Sequence, residues 1–170
     1  MNPNSGEIAL TRRWPAANYV ELARRVAGEY PDLRVVFIGS RGERDYVGSI
    51  VKTIRHPAVV DLSGCLSVAQ LAYILGQARL VVTNDSGPLH LACAMGARTL
   101  SFFGPETPVL YGPVGSGHEV LYTNIDCSPC INVHEDKSFR CHRRVTQCLE
   151  GIGVDAAWGR LKDMLDKSPS

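Results

Sequence analysis

A surplus of charge is missing from this chain. Eighteen Lys and Arg stand against seventeen Asp and Glu, a formal charge of +1, so no broad field draws in nucleic acid or an anionic membrane, and any anion site must be built locally. Long apolar runs are missing too. Stretches such as Val35-Val36-Phe37-Ile38 stop after a few residues, far short of the roughly 20 needed to cross a bilayer. No charged-then-apolar leader opens the sequence. These two absences predict a cytoplasmic protein, with the inner face of the cell membrane as a second location. Cysteine is scarce, six in 170 residues, too few for a disulfide scaffold. Cys65 and Cys93 fall in apolar stretches, where a thiol is expected to act as a small hydrophobe. There are no internal repeats or low-complexity tracts, and 45% apolar with 21% charged residues excludes disordered and fibrous classes. A chain of this length closes one hydrophobic core.

What is present alternates. Val20, Ala23, Val26, Ala27 and Tyr30 recur at helical spacing behind Trp14-Pro15, and Pro is tolerated at a helix start because the first N–H groups lack intrahelical partners. Pro31-Asp32 breaks that helix, and Arg34 to Gly39 reads as a short buried strand. A helix over 43–54 and a strand over 59–62 follow. Ser67 caps a helix whose apolar set is Val68, Leu71, Ala72 and Leu75, and Gln70 completes a capping box. Next come a strand at 80–83, a helix from Pro88 to Met95 ended by Gly96, and a strand at 99–103 stopped by Gly104-Pro105. Strands separated by helices need crossover connections, which give a parallel sheet with helices on both faces. The expected class is α/β, a doubly wound parallel sheet. Residues 1–170 are expected to form one domain, with a Cys-rich loop at 124–148 and a last helix at about 155–165.

Such sheets bind ligands beyond the carboxyl ends of their strands, and four segments lie there. Thr83-Asn84-Asp85-Ser86-Gly87-Pro88-Leu89-His90 joins a strand to a helix. Gly87 permits close backbone approach, and the helix start offers uncommitted N–H groups and a positive dipole end suited to phosphate. Helix capping by Asp85 or Ser86 is the alternative. Arg12-Arg13 precede Trp14-Pro15 and offer a charged planar fork for phosphate oxygens, or a solvated surface pair. Glu43, behind Gly39-Ser40, can accept from ribose hydroxyls or sit in a helix's first turn. Thr107, in Gly104-Pro105-Glu106-Thr107-Pro108, can donate to a ligand oxygen or belong to a plain turn.

Arg12-Arg13-Trp14-Pro15, Ile38-Gly39-Ser40 with Glu43, Leu71-Ala72 within Gly64 to Ala78, Asn84 to Ala92, Phe103 to Pro108, and Cys127-Ser128-Pro129-Cys130 with Cys148-Leu149 together resemble the heptosyltransferase-type glycosyltransferases of family nine. The similarity is to their carboxyl-terminal, donor-binding half and spans nearly the whole chain. It implies the Rossmann-like half of a GT-B fold and a nucleotide-diphosphate sugar donor, commonly ADP-heptose. The implied reaction transfers a sugar to a lipopolysaccharide-core or related glycan, with no cofactor and no metal. By the same resemblance Arg12 stabilises the leaving diphosphate, Glu43 binds the ribose, and Asp85, Ser86, Gly87, His90 and Thr107 surround the donor. Arg12 falls where the family usually has Lys, and Ser86 where Thr is common. The family's general base and acceptor site lie in an amino-terminal domain expected to be absent from this chain, which alone would bind donor without transferring sugar.

Cys127, Cys130, Cys141 and Cys148 form C-x2-C-x10-C-x6-C. Reduced structural thiols are the plain reading. Zinc is the alternative, although the second pair is wider than the usual structural-zinc spacing. Two other functions remain open on the residues: a different GT-B enzyme such as a nucleotide-sugar epimerase, and a non-catalytic nucleotide-binding or interaction module.

Overall fold

Strands three to five residues long carry the architecture, because each is buried on both sides and needs no greater length to pack. The computed structural model describes residues 1–6, 9–131, 141–143 and 145–167. A 3-10 turn over Leu10–Arg12 leads into helix α1 (Ala16–Glu29), strand β1 (Val35–Phe37), α2 (Arg44–Ile54), β2 (Val59–Asp61), α3 (Val68–Gln77), β3 (Val81–Asn84) and α4 (Gly87–Ala94). Then follow β4 (Thr99–Phe103), α5 (Pro108–Tyr111), β5 (His118–Tyr122), α6 (Gln147–Glu150) and α7 (Val154–Asp166). All strand pairing is parallel: β1 with β2, and β3 with β4 with β5. Met1 and Asn2 lie between the two groups. The Met1 amine donates to Val36 O at 2.5 Å and Ile38 N to Met1 O at 3.1 Å, while Asn2 N donates to Val82 O at 2.8 Å and bridges Thr83 in parallel register.

Alternation along the strands divides the interior in two, since successive strand side chains face opposite ways. Val35, Phe37, Val82, Leu100 and Phe102 join one core with residues of α1, α2 and α7, whereas Val36, Ile38 and Val81 join a second core with Leu71, Leu75 and Ala92 of α3 and α4. Each buried Val, Leu or Phe contributes about 1.5–3 kcal/mol. This is the doubly wound arrangement expected. Ser67 caps α3 with the full capping box to Gln70. Trp14 anchors the first core: its ring stacks on Phe102 at 4.1 Å, Tyr19 meets it edge-on at 5.1 Å, and its indole N–H donates to Ile152 O at 2.8 Å.

Three elements, α5, β5 and α6, carry no clear sequence pattern. Strand β5 is half-buried along its whole length, and pairing with β4 rather than its own composition makes it a strand. The thiols also differ from expectation. Cys65 is exposed and its Sγ lies 3.5 Å from Ser63 O, and Cys93 is half-buried, because each occupies a turn or helix face outside the cores. Cys148 is the buried one, packed behind Gly104, where an added Cβ would come within 2.9 Å of its sulfur.

Candidate functional site

The floor of the site is a buried polar network, and it follows from one residue facing inward at the carboxyl end of β3. Asn84, fully buried, accepts at Oδ1 from Trp14 N at 3.0 Å and lies 3.1 Å from the Tyr19 hydroxyl, while its Nδ2 donates to Asn4 O at 3.1 Å. The side chain therefore ties the Trp14 segment and the 1–6 segment to the strand end. Asn2 extends the network, donating from Nδ2 to Thr83 Oγ1 and to Ser86 Oγ, each at 3.0 Å. Asn4 Nδ2 donates to Ile38 O and Asn2 Oδ1, each at 3.0 Å, and leaves its own Oδ1 buried without a partner among the described residues. Gly39 is required by this packing, since a Cβ there would stand 2.9 Å from Asn4 Nδ2.

Above this floor opens a cleft of about 650 Å³ between the strand ends, lined by Arg12, Glu43, Asp85, Ser86, Gly87 and His90 among others. Six of the seven donor-site candidates thus meet in one hollow. Arg12 Nη1 donates to Asp85 Oδ2 at 3.0 Å, with the carboxylate almost fully buried and the guanidinium partly so. Burial raises the Asp85 carboxyl above its ordinary value, a push that the attraction of Arg12 and then His90 offsets only in part. Glu43 Oε2 accepts from Ser40 N at 2.8 Å, so the turn fixes one oxygen and Oε1 remains for a ligand. Neither Asp85 nor Ser86 caps α4. Ser86 holds the N-cap position, but no side chain accepts from the helix's first N–H groups. Its hydroxyl instead donates to Asn84 O at 3.1 Å. The positive end of α4 therefore opens on the cleft without a side-chain partner.

Thr107 is placed differently. It does not line the cleft, and its Oγ1 accepts from Val109 N at 3.2 Å to cap α5, as Thr before Pro at a helix start commonly does. Arg13 parts from Arg12 as well: its guanidinium lies 4.3 Å from the centre of the Tyr46 ring, a cation–π contact on the outer side of the segment. Glu106 is buried beneath the cleft, and its carboxyl is raised first by burial and then by the Asp85 charge, with Arg12 opposing. The cysteines form no disulfide, and among the described residues no group of three or more His, Cys, Asp or Glu is set to hold a metal ion. His134 and Arg140 of the Cys-rich loop lie outside the described residues, as does Arg144.

Residues 3–140 match glycosyltransferase family 9 (heptosyltransferase). The chain belongs to that family. As a family 9 chain it is 35% identical over 168 residues to lipopolysaccharide heptosyltransferase 1 of Pseudomonas aeruginosa, covering 94% of this chain and 46% of the relative. Among solved structures it superposes on E. coli ADP-heptose lipopolysaccharide heptosyltransferase II with a TM-score of 0.77 at 23% identity, covering 96% of this chain and 45% of the other. It superposes on E. coli heptosyltransferase WaaC with ADP at a TM-score of 0.71 and 19% identity, covering 96% and 43%. The two superpositions establish a shared fold, the Rossmann-like half of a GT-B architecture. This family 9 chain spans about half the length of the relatives it matches. Among the described residues no helix is long and apolar enough to cross a membrane.

Proposed function

We propose that this chain is the donor-binding half of a glycosyltransferase that moves heptose from ADP-heptose to a lipopolysaccharide-core sugar. One observation carries the reading: Arg12, the uncapped start of α4 and Glu43 line a single cleft. In this reading the diphosphate sits at the α4 amino terminus, where N–H dipoles and the Arg12 guanidinium face it. Glu43 Oε1 accepts from the ribose hydroxyls. Leu66, Val68 and Leu71, which line the same cleft, give an apolar wall for the base. His90 and Asp85 stand beside the sugar and its phosphate.

Glycosyl transfer passes through an oxocarbenium-like state in which negative charge grows on the departing phosphate. Fixed dipoles and a cation aimed at that charge stabilise the transition state more than the bound donor. The acceptor hydroxyl must lose a proton to a base. We assign that base, and the acceptor site, to a domain outside these 170 residues; sugar transfer by this chain alone at ordinary enzymatic rates would overturn that assignment.

Titration calorimetry with ADP, UDP and GDP tests the donor reading. ADP is expected to bind selectively, and Arg12→Ala to weaken it more than tenfold, about 1.4 kcal/mol. UDP selectivity would redirect the donor assignment. Absence of any nucleotide binding would leave an interaction module.

A further inference from the structure

A second hollow, of about 400 Å³, lies at the opposite end of the strands from the polar cleft, between β1 and β3. Its walls are apolar: Ile74 and Leu75 of α3 on one side, Leu161 and Leu165 of α7 on the other. Strand edges form its remaining two sides, and their polarity follows from strand geometry. Val35 N donates to Ala58 O and Leu62 N to Phe37 O, so the odd residues of β1 serve β2. The main-chain groups of Val36, one residue on, point the other way. Likewise Val81 N donates to Arg98 O and Asp85 N to Phe102 O, which turns the groups of Val82 away from β4. Two parallel strand edges therefore face each other across the hollow.

At its upper end the space between them is already filled. Met1 exchanges the two hydrogen bonds of a parallel ladder with Val36 O and Ile38 N, and Asn2 is paired with β3 through Val82 O. These two residues stand in strand register with both neighbours, and below them the ladder stops. We propose that the hollow is the slot for one more β-strand, running parallel to β1 and β3 and joined to the nitrogen of Met1, which turns the two half-sheets into one continuous sheet of order β2-β1-strand-β3-β4-β5.

Three features specify this occupant. Its direction is set by the Met1–Asn2 pairing. Its length is set by the edges that line the slot, Leu33 to Val36 and Arg79 to Val82, about four residues at ~3.3 Å each. Its composition is set by the walls: with α7 and α3 covering opposite faces, both sets of alternating side chains enter an apolar core, and a strand buried on both faces is a run of Val, Ile and Leu rather than an alternation. The Met1 amine supports the point from another side. It is fully buried, and burial pushes it down to about 5, so a charge is unwelcome at this position, whereas a neutral peptide N–H donating to Val36 O fits. The proposal stands on the gap between the half-sheets and is independent of the nucleotide reading.

The test extends the chain before Met1 with Val-Ile-Val-Ile behind a short polar leader, and compares it with the unextended chain and with a Val-Pro-Val-Pro extension, which cannot donate at alternate positions. Amide exchange at Val36 and Val82 is the direct readout. The Val-Ile-Val-Ile form is expected to slow both amides at least tenfold relative to the other two, to remain monomeric by sedimentation, and to lose any binding of an apolar dye that the unextended chain shows. Equal exchange in the two extended forms would overturn the proposal. So would protection of the unextended chain that appears only on self-association, which would make a second copy the occupant. Should the unextended chain not fold alone, the comparison of the two extensions decides.

Discussion

Gly87→Ala separates what the protein needs from what a ligand needs. An ideal Cβ at Gly87 would meet no protein heavy atom within 4 Å, and the residue's φ lies in the ordinary negative range. The side chain therefore costs the fold nothing. Replacing Gly by Ala in a compatible conformation restricts the unfolded chain and stabilises by about 0.4–1 kcal/mol. For a chain of this length that is a rise in Tm of about 1–4 °C. A phosphate on the first N–H groups of α4 requires donor–acceptor distances near 2.9 Å, and the added methyl occupies the space that such an anion must cross. ADP affinity is expected to fall at least tenfold while Tm holds or rises. Scanning calorimetry and titration calorimetry on the same preparations read both. A folded, equally stable Gly87→Ala protein that binds ADP as the parent does would refute placement of the diphosphate at this helix start.

Asn84→Ala is expected to act oppositely, lowering the denaturation free energy by about 2–4 kcal/mol, because it leaves the Trp14 N–H and the Asn4 carbonyl unsatisfied in the interior; a loss below about 1 kcal/mol in urea unfolding would show that water or a rearranged side chain replaces it. The pH dependence of stability gives a third check. The Asp85 carboxyl titrates above its ordinary value of 3.8 in the folded protein, so the native state holds that proton more tightly than the unfolded state does. Its contribution is therefore fully present below the ordinary value and is lost as pH rises through the raised one. Asp85→Asn should remove this slope, so that the variant's stability relative to the parent increases between about pH 3 and pH 6; a difference that is flat or falls over that range contradicts the direction.

Local chemistry was legible in the sequence, and long-range chemistry was not. Ser67 with Gln70, or Pro88 behind an Asn-Asp-Ser-Gly turn, announce helix starts through interactions three residues apart, and both are present. Arg12, Glu43, Asp85 and His90 could be gathered because strand order fixes where loops meet. The role of Asn84 depends on Trp14 and Asn4, which are 70 and 80 residues away, and nothing in its neighbourhood distinguishes an inward amide from a ligand-facing one. The opposite error attaches to Thr107, whose hydroxyl is spent on the next turn of its own chain. A Thr-Pro pair at a helix start was the local signal for that cap. Strand β5 escaped because His118 and Glu119 lack the pattern of a buried strand, and its partner β4 imposes the conformation.

The Arg12–Asp85 contact sets how the cleft meets an anion. Its carboxylate is buried, and the guanidinium Nε is buried with no partner among the described residues. An orphaned donor of that kind costs about 1–3 kcal/mol, and a phosphate oxygen arriving beside it removes the cost. Asp85 meanwhile holds the guanidinium toward α4 before any ligand arrives, so little side-chain entropy is lost on binding. The same carboxylate repels the anion it helps to place. Donor affinity is therefore a balance between preorganisation and repulsion, and the raised pKa of Asp85 means that mild acidification weakens the repulsion first. This predicts that ADP binding tightens as pH falls toward the titration of Asp85, and that Asp85→Asn abolishes the trend, with calorimetric Kd against pH as the measure. A Kd that weakens on mild acidification would show that the pair repels less than it orients.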